Sequence, residues 1–233
     1  MSREQILRNH YRKVIYSDEH KTLLKNKRDQ AKKLLKIFMK ENLTGYVYGS
    51  IARGDVHLNS DIDIIFLYRI PPYKVEFILN KNNIKKYNRE IIAATPSDSV
   101  KLYIHISELV SITIPLTKLS KNNLEFYDFG GKIDYEQIKK NERVPGIDKR
   151  LVLIRPTEDG HEEFSIIDQE NIAAKIVGVS IDTINERKNV LLRREKYGRT
   201  GVFLKRELSL NETVEGALKK IAEENRIIRK KIP

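Results

Sequence analysis

Cysteine is absent from this 233-residue chain, and its absence excludes disulfide bonds, thiolate zinc sites and a cysteine nucleophile. The five histidines are scattered, and no two of them have the spacing of a ligand pair on one helix. Any metal bound by this protein is therefore expected to be a hard ion that oxygen atoms hold.

Long apolar runs are missing as well, since none approaches the roughly 20 residues that a membrane-spanning helix needs. The N-terminal stretch MSREQILRNHYRK interrupts its apolar side chains with charge and does not resemble a signal peptide. A composition of 40% hydrophobic and 33% charged residues suits a soluble protein with one main domain and a smaller module. We therefore expect a cytoplasmic protein that does not bind membranes.

Positive charge is in excess, with a formal net charge of +12, and it is unevenly distributed. Residues 1–40 carry +8 and residues 171–233 carry +7, whereas residues 41–170 carry −3. An acidic centre between basic ends is typical of a reaction site flanked by surfaces for a polyanion. For the N-terminal segment alone, lysine-rich helices that serve solubility or heat tolerance are an equally good interpretation.

Apolar residues recur every three or four positions between residues 21 and 41, which predicts an amphipathic helix. Beyond it, alternating apolar residues and turn-forming residues predict a succession of strands and short helices. The predicted elements are a strand at Tyr46–Tyr48, a helical turn at 51–54, a strand at Asp61–Tyr68, a helix over 75–92, strands at Val100–Ile106 and Leu109–Ile114, two short helices within 119–140 and a strand-rich connector over 143–168.

The strand at Asp61–Tyr68 contains two aspartates, Asp61 and Asp63, that alternate with isoleucines. Residues two apart on a strand face the same side, so the two carboxylates project together. They repel each other, and burying either one unpaired is costly. A Mg²⁺ ion, or Mn²⁺ in its place, fits between them because it prefers carboxylate and phosphate oxygens.

A matching anion site is predicted at Gly49 and Ser50, which follow the first strand and open a helical turn, with ten residues between Ser50 and Asp61. Backbone N–H groups at a helix N-terminus and the Ser50 hydroxyl can point at a phosphate, and Gly49 permits a close approach. Arg53 lies one turn further on and can add positive charge to the same pocket.

The combined pattern, YGSIARGDVHLNSDIDIIFL, resembles the signature of the DNA polymerase β-like nucleotidyltransferase superfamily. The resemblance implies an α+β core, a mixed sheet with flanking helices. It further implies that Asp61 and Asp63 hold divalent metals and that Gly49 and Ser50 bind the triphosphate of an NTP. An acceptor hydroxyl would then attack the α-phosphorus, and pyrophosphate would leave. An acidic strand unrelated to this family is the alternative.

The resemblance also requires a third carboxylate on a neighbouring strand, and the sequence offers no clear one. Glu108 is the predicted third catalytic residue, Asp98 and Asp128 are weaker choices, and a missing carboxylate is a further alternative. The strand position expected to carry the acid lies in the stretch YIHIS, which contains His105. This histidine is interpreted as a structural residue, with a role as general base as the alternative.

The longer stretch LEFYDFGGKIDYEQIKKNERVPGIDKRLVLIRPTEDGHEEFSI resembles archaeal proteins that carry this nucleotidyltransferase domain, and that resemblance implies no particular substrate. Within it, Arg143, Lys149 and Arg150 can contact nucleotide phosphates or RNA. They can equally be solvated loop charges.

The C-terminal part resembles a winged helix-turn-helix, with Ser180 as the N-cap of its second helix and YGRTGVFLKREL as a strand-turn-strand wing. Such a module can bind nucleic acid or serve only for packing. The predicted nucleic-acid contacts are Asn185, Lys188, Arg193, Arg194 and Arg199. The sequence thus predicts a nucleotidyltransferase-like domain over 1–135, a connector or β-rich subdomain over 136–168 and a winged-helix-like module over 169–233.

Together these features predict a metal-dependent enzyme that moves an NMP from an NTP to an acceptor hydroxyl, with RNA favoured over DNA as the acceptor and tRNA among the RNA candidates. A second hypothesis is a nucleic-acid-binding regulator on a degenerate nucleotidyltransferase fold, because the third carboxylate is uncertain. A third hypothesis is transfer to a protein or a small molecule, although the strong positive charge disfavours a small acceptor.

Overall fold

The computed structural model describes residues 5–209 and 211–232. These residues form two β-sheets and nine helices, joined by loops. The strands are β1 (Tyr11–Ile15), β2 (Tyr46–Tyr48), β3 (Ile62–Ile65), β4 (Asn88–Ala93), β5 (Lys101–Ser107), β6 (Val110–Pro115), β7 (Lys132–Ile133), β8 (Gly146–Ile147), β9 (Val152–Thr157), β10 (Gly160–Ser165) and β11 (Leu204–Glu207). The helices are α1 (Asp18–Met39), α2 (Ser50–Arg53), α3 (Pro72–Lys81), α4 (Lys121–Gly130), α5 (Tyr135–Lys139), α6 (Glu170–Val177), α7 (Ile181–Tyr197), α8 (Val214–Glu224) and α9 (Arg226–Arg229).

Helix α1 confirms the amphipathic helix predicted from the spacing of apolar residues. It begins after Ser17, whose side chain accepts a hydrogen bond from the backbone N–H of His20 at 3.3 Å. Its apolar stripe buries Ala31, Leu35 and Phe38 in the larger hydrophobic cluster. Among the helices of the described residues, none combines the length and the apolarity of a membrane span.

The larger sheet has seven strands in the order β11-β4-β5-β6-β3-β2-β7. Only the β3/β6 pair is parallel, and the other neighbours are antiparallel. This mixed sheet with its helices confirms the predicted α+β core. Strands β2 and β3 form where the sequence predicted strands, and β5 and β6 form the predicted pair as an antiparallel hairpin.

The helix predicted over 75–92 is only half present, because α3 ends at Lys81 and strand β4 follows from Asn88. Asn83 takes a positive φ of 56°, a left-handed conformation that ends the helix. Beyond it, Ile91 is fully buried and pairs with Leu102 of β5. Pairing with β5 therefore outweighs the helical periodicity of this stretch.

The smaller sheet has four strands in the order β1-β10-β9-β8, so the N-terminal strand pairs with residues far along the chain. Tyr11 lies opposite Phe164, and Ile15 lies opposite Gly160. A second hydrophobic cluster joins this sheet to helices α6 and α7. Its buried members are Ile6, Phe129, Ile147, Leu151, Leu153, Ile166, Ala173, Ala174, Ile184 and Leu191.

The helical half of the predicted C-terminal module is present as α6 and α7. The Ser180 side chain accepts a hydrogen bond from the Thr183 N–H at 3.3 Å, which confirms Ser180 as an N-cap. The winged helix-turn-helix itself is not confirmed. The predicted wing contains a single strand, β11, which pairs with β4 and covers what would otherwise be a free edge of the large sheet.

After β11 the chain stays with the large sheet, because α8 and α9 bury Val214, Ala217, Ile221 and Ile228 in the larger cluster. Residues 169–233 are therefore distributed over both hydrophobic clusters. The predicted boundaries near residues 135 and 168 stay predictions.

Candidate functional site

A cleft of about 780 Å³ lies between the β2–β3 region of the large sheet and a second wall built from the small sheet and α7. Gly49, Ser50, Asp61 and Asp63 line the first wall. The residues that the sequence singled out as a paired acidic and phosphate site are thus brought to one cavity.

Gly49 makes the sharp turn from β2 into α2. Its φ is 79°, a conformation that favours glycine, and its N–H donates to the Gly131 carbonyl at 2.8 Å. That N–H is therefore used inside the protein. The N–H groups of Ser50 and Ile51, in the first turn of α2, are the ones that have no partner within the helix.

The ten residues between Ser50 and Asp61 form a loop whose two ends are held together by hydrogen bonds. The Ser50 hydroxyl donates to the Ser60 hydroxyl oxygen at 3.1 Å, and the His57 N–H donates to the same oxygen at 2.9 Å. Ser60 directly precedes Asp61 and is buried. This contact holds the turn at Gly49 and Ser50 next to the first aspartate.

Asp61 is exposed just before β3, while Asp63 is half-buried within it. The Ser111 hydroxyl on β6 donates to Asp63 Oδ1 at 2.5 Å. Burial raises the pKa of Asp63, and the negative charge of Asp61 adds to this effect, whereas the hydrogen bond from Ser111 and the nearby His105 oppose it. The two carboxylates therefore form a site that a cation stabilises.

The position beside Asp63 on the neighbouring strand carries Ser111 rather than a carboxylate, because the parallel register of β3 and β6 places these two residues side by side. Glu108 is exposed in the turn between β5 and β6. Within residues 5–209 and 211–232, no three histidine, aspartate or glutamate side chains form a group that could hold a metal ion. The catalytic role predicted for Glu108 stays a prediction.

The two weaker choices for a third acid have other contacts. Asp98 accepts a hydrogen bond from the Asn123 side chain at 3.3 Å, and Asp128 forms an ion pair with Lys132. Ser111 was missed in the sequence because a serine between apolar residues carries no signal until the strand register is known.

Arg53 is buried at the edge of the cleft, and each of its three guanidinium nitrogens donates a hydrogen bond. Its Nε and Nη2 donate to the Asp55 carboxylate at 2.9 Å each, and its Nη1 donates to the Gly130 carbonyl at 2.6 Å. These contacts fix α2 against the end of α4. The role in nucleotide binding predicted for Arg53 stays a prediction.

The second wall of the cleft is basic, and three separate segments of the chain build it. Arg12 comes from β1, Lys149 and Arg150 come from the turn between β8 and β9, and Arg187 and Arg194 come from α7. A spacing of seven residues puts these two α7 arginines on the same helix face, together with the buried Leu191.

The five predicted nucleic-acid residues divide between this wall and other surfaces, and Asn185 does not line the cleft. Arg194 and Arg199 line the cleft. Arg193, the neighbour of Arg194, is exposed and does not line the cleft, and Lys188 forms an ion pair with Glu170 at 2.6 Å. Only some of the predicted nucleic-acid residues therefore line the cleft that contains the acidic pair. The contact of all of them with nucleic acid stays a prediction.

Comparison with known families now adds to this geometry. The family model described as a nucleotidyltransferase domain matches residues 24–195, about three quarters of the chain. The chain belongs to the nucleotidyltransferase domain family. Neither a curated protein nor a solved structure matches it.

The matched residues of this nucleotidyltransferase domain run from within α1 into α7, so they include the acidic pair and most of the basic wall. Domains of this family transfer a nucleotide from an NTP to an acceptor and generally use divalent metal ions. The donor set fits such an ion, since Asp61 and Asp63 supply two neighbouring carboxylates, and the charge of Asp61 adds to the burial that raises the pKa of Asp63.

Ion pairs hold the basic wall of the nucleotidyltransferase domain in place. Arg150 binds Asp148 at 2.5 Å and Glu163 at 2.9 Å, and Glu163 also binds His10 at 2.6 Å. Although burial opposes it, these hydrogen bonds lower the pKa of Glu163 to about 2. Lys149, in the same turn, is exposed to the cleft.

Proposed function

We propose that this nucleotidyltransferase-domain protein moves an NMP from an NTP to a hydroxyl of an RNA acceptor, with Mg²⁺ or Mn²⁺ held by Asp61 and Asp63. The observation that carries the proposal is the opposition of an acidic pair and a basic wall across a single cleft. A metal and triphosphate site needs the acidic pair, and a polyanionic substrate needs the basic wall.

Each residue of the first wall has a defined part in this proposal. Asp61 and Asp63 hold the divalent ion, which supplies charge stabilisation at the α-phosphate and the leaving pyrophosphate. The N–H groups at the start of α2 and the hydroxyl of Ser50 bind the triphosphate. Gly49, which has a φ of 79°, permits the phosphates to approach closely. A Cβ at this position would project into open space, and in glycine that space stays available to the phosphates.

The acceptor is proposed to be RNA because of the charge around the cleft. The basic termini predicted from the sequence contribute to its second wall through Arg12, Arg194 and Arg199. Such cations bind the phosphate backbone, and the ribose of RNA offers the hydroxyl that the reaction needs. Transfer RNA is one RNA to test.

The experiment that tests this function incubates the protein with each α-³²P-labelled NTP, Mg²⁺ or Mn²⁺, and total RNA. The Asp61→Asn/Asp63→Asn double variant is the matched control. We expect label in RNA with the wild type only. Equal background labelling of RNA by both proteins would contradict transfer to RNA, and label in protein or in small molecules would identify a different acceptor.

A second candidate function is a nucleic-acid-binding regulator that retains nucleotide binding without transfer. The observation that favours it is Ser111 at the position next to Asp63, where a third carboxylate is absent among the described residues. If the protein is such a regulator, the wild type and the Asp61→Asn/Asp63→Asn variant both leave RNA and other acceptors unlabelled, while the wild type still binds nucleotide and RNA. The same labelling experiment, with binding measured in parallel, separates the two functions.

A further inference from the structure

A row of polar side chains crosses the large sheet on the same face as Asp63. Asp63 on β3 lies in register with Ser111 on β6, and Ser111 lies opposite His105 on β5. Paired residues on neighbouring strands point to the same face. The hydrogen bond from Ser111 to Asp63 and the influence of His105 on the pKa of Asp63 agree with this placement.

The row continues from His105 onto two further strands. The Nε2 atom of His105 is hydrogen-bonded to Glu90 Oε1 on β4 at 3.0 Å, and Lys205 on β11 forms an ion pair with the other oxygen of Glu90 at 2.8 Å. The His105 side chain is 28% exposed, whereas Glu90 is 10% exposed. Glu90 therefore orients an imidazole that stays partly exposed to solvent.

The order of the strands places this histidine on the side from which an acceptor must arrive. The triphosphate site, at the end of β2, and His105, on β5, lie on opposite sides of β3. In phosphoryl transfer the attacking and leaving oxygens are roughly in line. Pyrophosphate that leaves toward Ser50 therefore requires a hydroxyl that attacks from the side of β6 and β5.

The spacing of the strands leaves room for this hydroxyl. Strands β3 and β5 are two positions apart, which corresponds to about 10 Å across the sheet. The small side chain of Ser111 lies between them. An acceptor ribose above Ser111 can reach both the α-phosphate held near Asp63 and the imidazole of His105.

We propose that His105, oriented by Glu90, accepts the proton of the acceptor hydroxyl, a task for which the described residues place no third carboxylate beside Asp61 and Asp63. This inference rests on the proposed function. The acceptor O–H bond breaks as its proton passes to the free ring nitrogen Nδ1, the oxygen forms a bond to the α-phosphorus, and the bond to pyrophosphate breaks. His105 later loses the proton to solvent.

Ionisable groups face His105 from neighbouring strands of the sheet. Glu90 faces it from β4, Asp63 lies beyond Ser111 on β3, and Tyr103 is its neighbour on β5. Although burial opposes it, hydrogen bonds from Lys205 and His105 hold the pKa of Glu90 below its usual range. Glu90 therefore stays a carboxylate and stabilises the imidazolium.

The test compares His105→Gln and Glu90→Gln with Glu207→Gln, which removes an exposed carboxylate from the strand residue opposite Glu90. With α-³²P-labelled NTPs and total RNA, we expect His105→Gln to lower kcat about 10²-fold and Glu90→Gln about tenfold. The KM for NTP and the binding of a fluorescent ATP analogue should stay within about twofold. Glu207→Gln should match the wild type.

The pH profile separates proton acceptance from a structural role. Because the proposed base must be unprotonated to accept the proton, the kcat of the wild type should rise with pH, and this rise should be lost in His105→Gln. Glu90→Asp should recover part of the activity lost in Glu90→Gln. Melting temperatures of all variants show whether any loss comes from unfolding.

Two results would overturn the inference. The first is that His105→Gln has the same kcat and the same pH profile as an active wild type, while Asp61→Asn is inactive. This result would leave the proposed function intact. If His105→Gln does not fold, the wild type decides, and a kcat that does not rise with pH is the second such result. A wild type no more active than Asp61→Asn instead removes the proposed function and this inference with it.

Discussion

The two walls of the cleft differ in how the chain builds them. The first wall of the cleft, which contains Asp61 and Asp63 and is here called the acidic wall, comes from the continuous stretch Gly45–Leu67. The hydrogen bond from Ser50 to Ser60 joins the turn and the strand of this stretch. The basic wall assembles three distant segments, and ion pairs such as Arg150 with Glu163 hold it together. The comparison shows that a local motif can specify candidate catalytic groups, whereas the charge around them depends on long-range packing.

The largest effect is expected from neutralising the acidic wall. In Asp63→Asn, the loss of a carboxylate that we propose to bind the metal should lower nucleotide transfer about 10³-fold, because metal-ion stabilisation contributes several kcal/mol to the transition state. The measurement is the initial rate with labelled NTP and RNA. Asp159→Asn, in the exposed turn between β9 and β10, is the control and should retain full activity. Similar rates for both variants would show that the acidic pair is not the catalytic site.

The next effect concerns the ion pairs of the basic wall and appears as a pH dependence of stability. Because the folded-state pKa of Glu163 lies near 2, below its unfolded value, its contribution is complete above about pH 4.5 and is lost as the pH falls toward 2. This contribution is about 2 to 3 kcal/mol.

Urea unfolding at pH 7, 4 and 3 measures this contribution. Glu163→Gln should be less stable than the wild type at pH 7, and the difference should shrink as the pH falls. A difference that stays constant over this range would mean that the charge of Glu163 does not stabilise the basic wall.

A smaller effect distinguishes two neighbouring arginines of α7. Arg194 lines the cleft and Arg193 is exposed away from it. Arg194→Ala should weaken RNA binding about fivefold to tenfold and reduce the slope of log K against log salt concentration by about 1, because one phosphate contact is lost. Arg193→Ala is the matched control and should bind as the wild type does. Equal weakening by both variants would indicate that RNA follows the outer surface of the helix.

The smallest effect tests the turn that opens the acidic wall. Gly49→Ala should reduce the free energy of unfolding by about 1 kcal/mol, since its φ of 79° is unfavourable for alanine. It should also raise the KM for NTP. Gly178→Ala is the control, because Gly178 has a φ of 73°, open space around its Cβ position and a place outside the cleft. An unchanged KM in Gly49→Ala would mean that the turn does not contact the phosphates.

Much of the acidic wall could be predicted from sequence because its information is local. The strand at Tyr46–Tyr48, the turn after it and the alternation around Asp61 and Asp63 all depend on neighbours within 25 residues. The winged helix-turn-helix predicted for the C-terminal part is not confirmed, because the arrangement of this part depends on contacts with distant residues. The pattern in 198–208 indicates strand, but only the free edge of β4 decides that β11 joins the large sheet instead of forming a wing.

By itself, the sequence determined the α+β class, helix α1, the paired aspartates and the glycine-serine turn, since residue spacing alone sets which side chains share a face. Only the tertiary structure decided that Ser111 lies beside Asp63, that Glu90 orients His105 and that Arg12 and Arg194 face the same cleft. These contacts join residues from different strands and segments. Strand order and register, which arise from the packing of the whole chain, determine them.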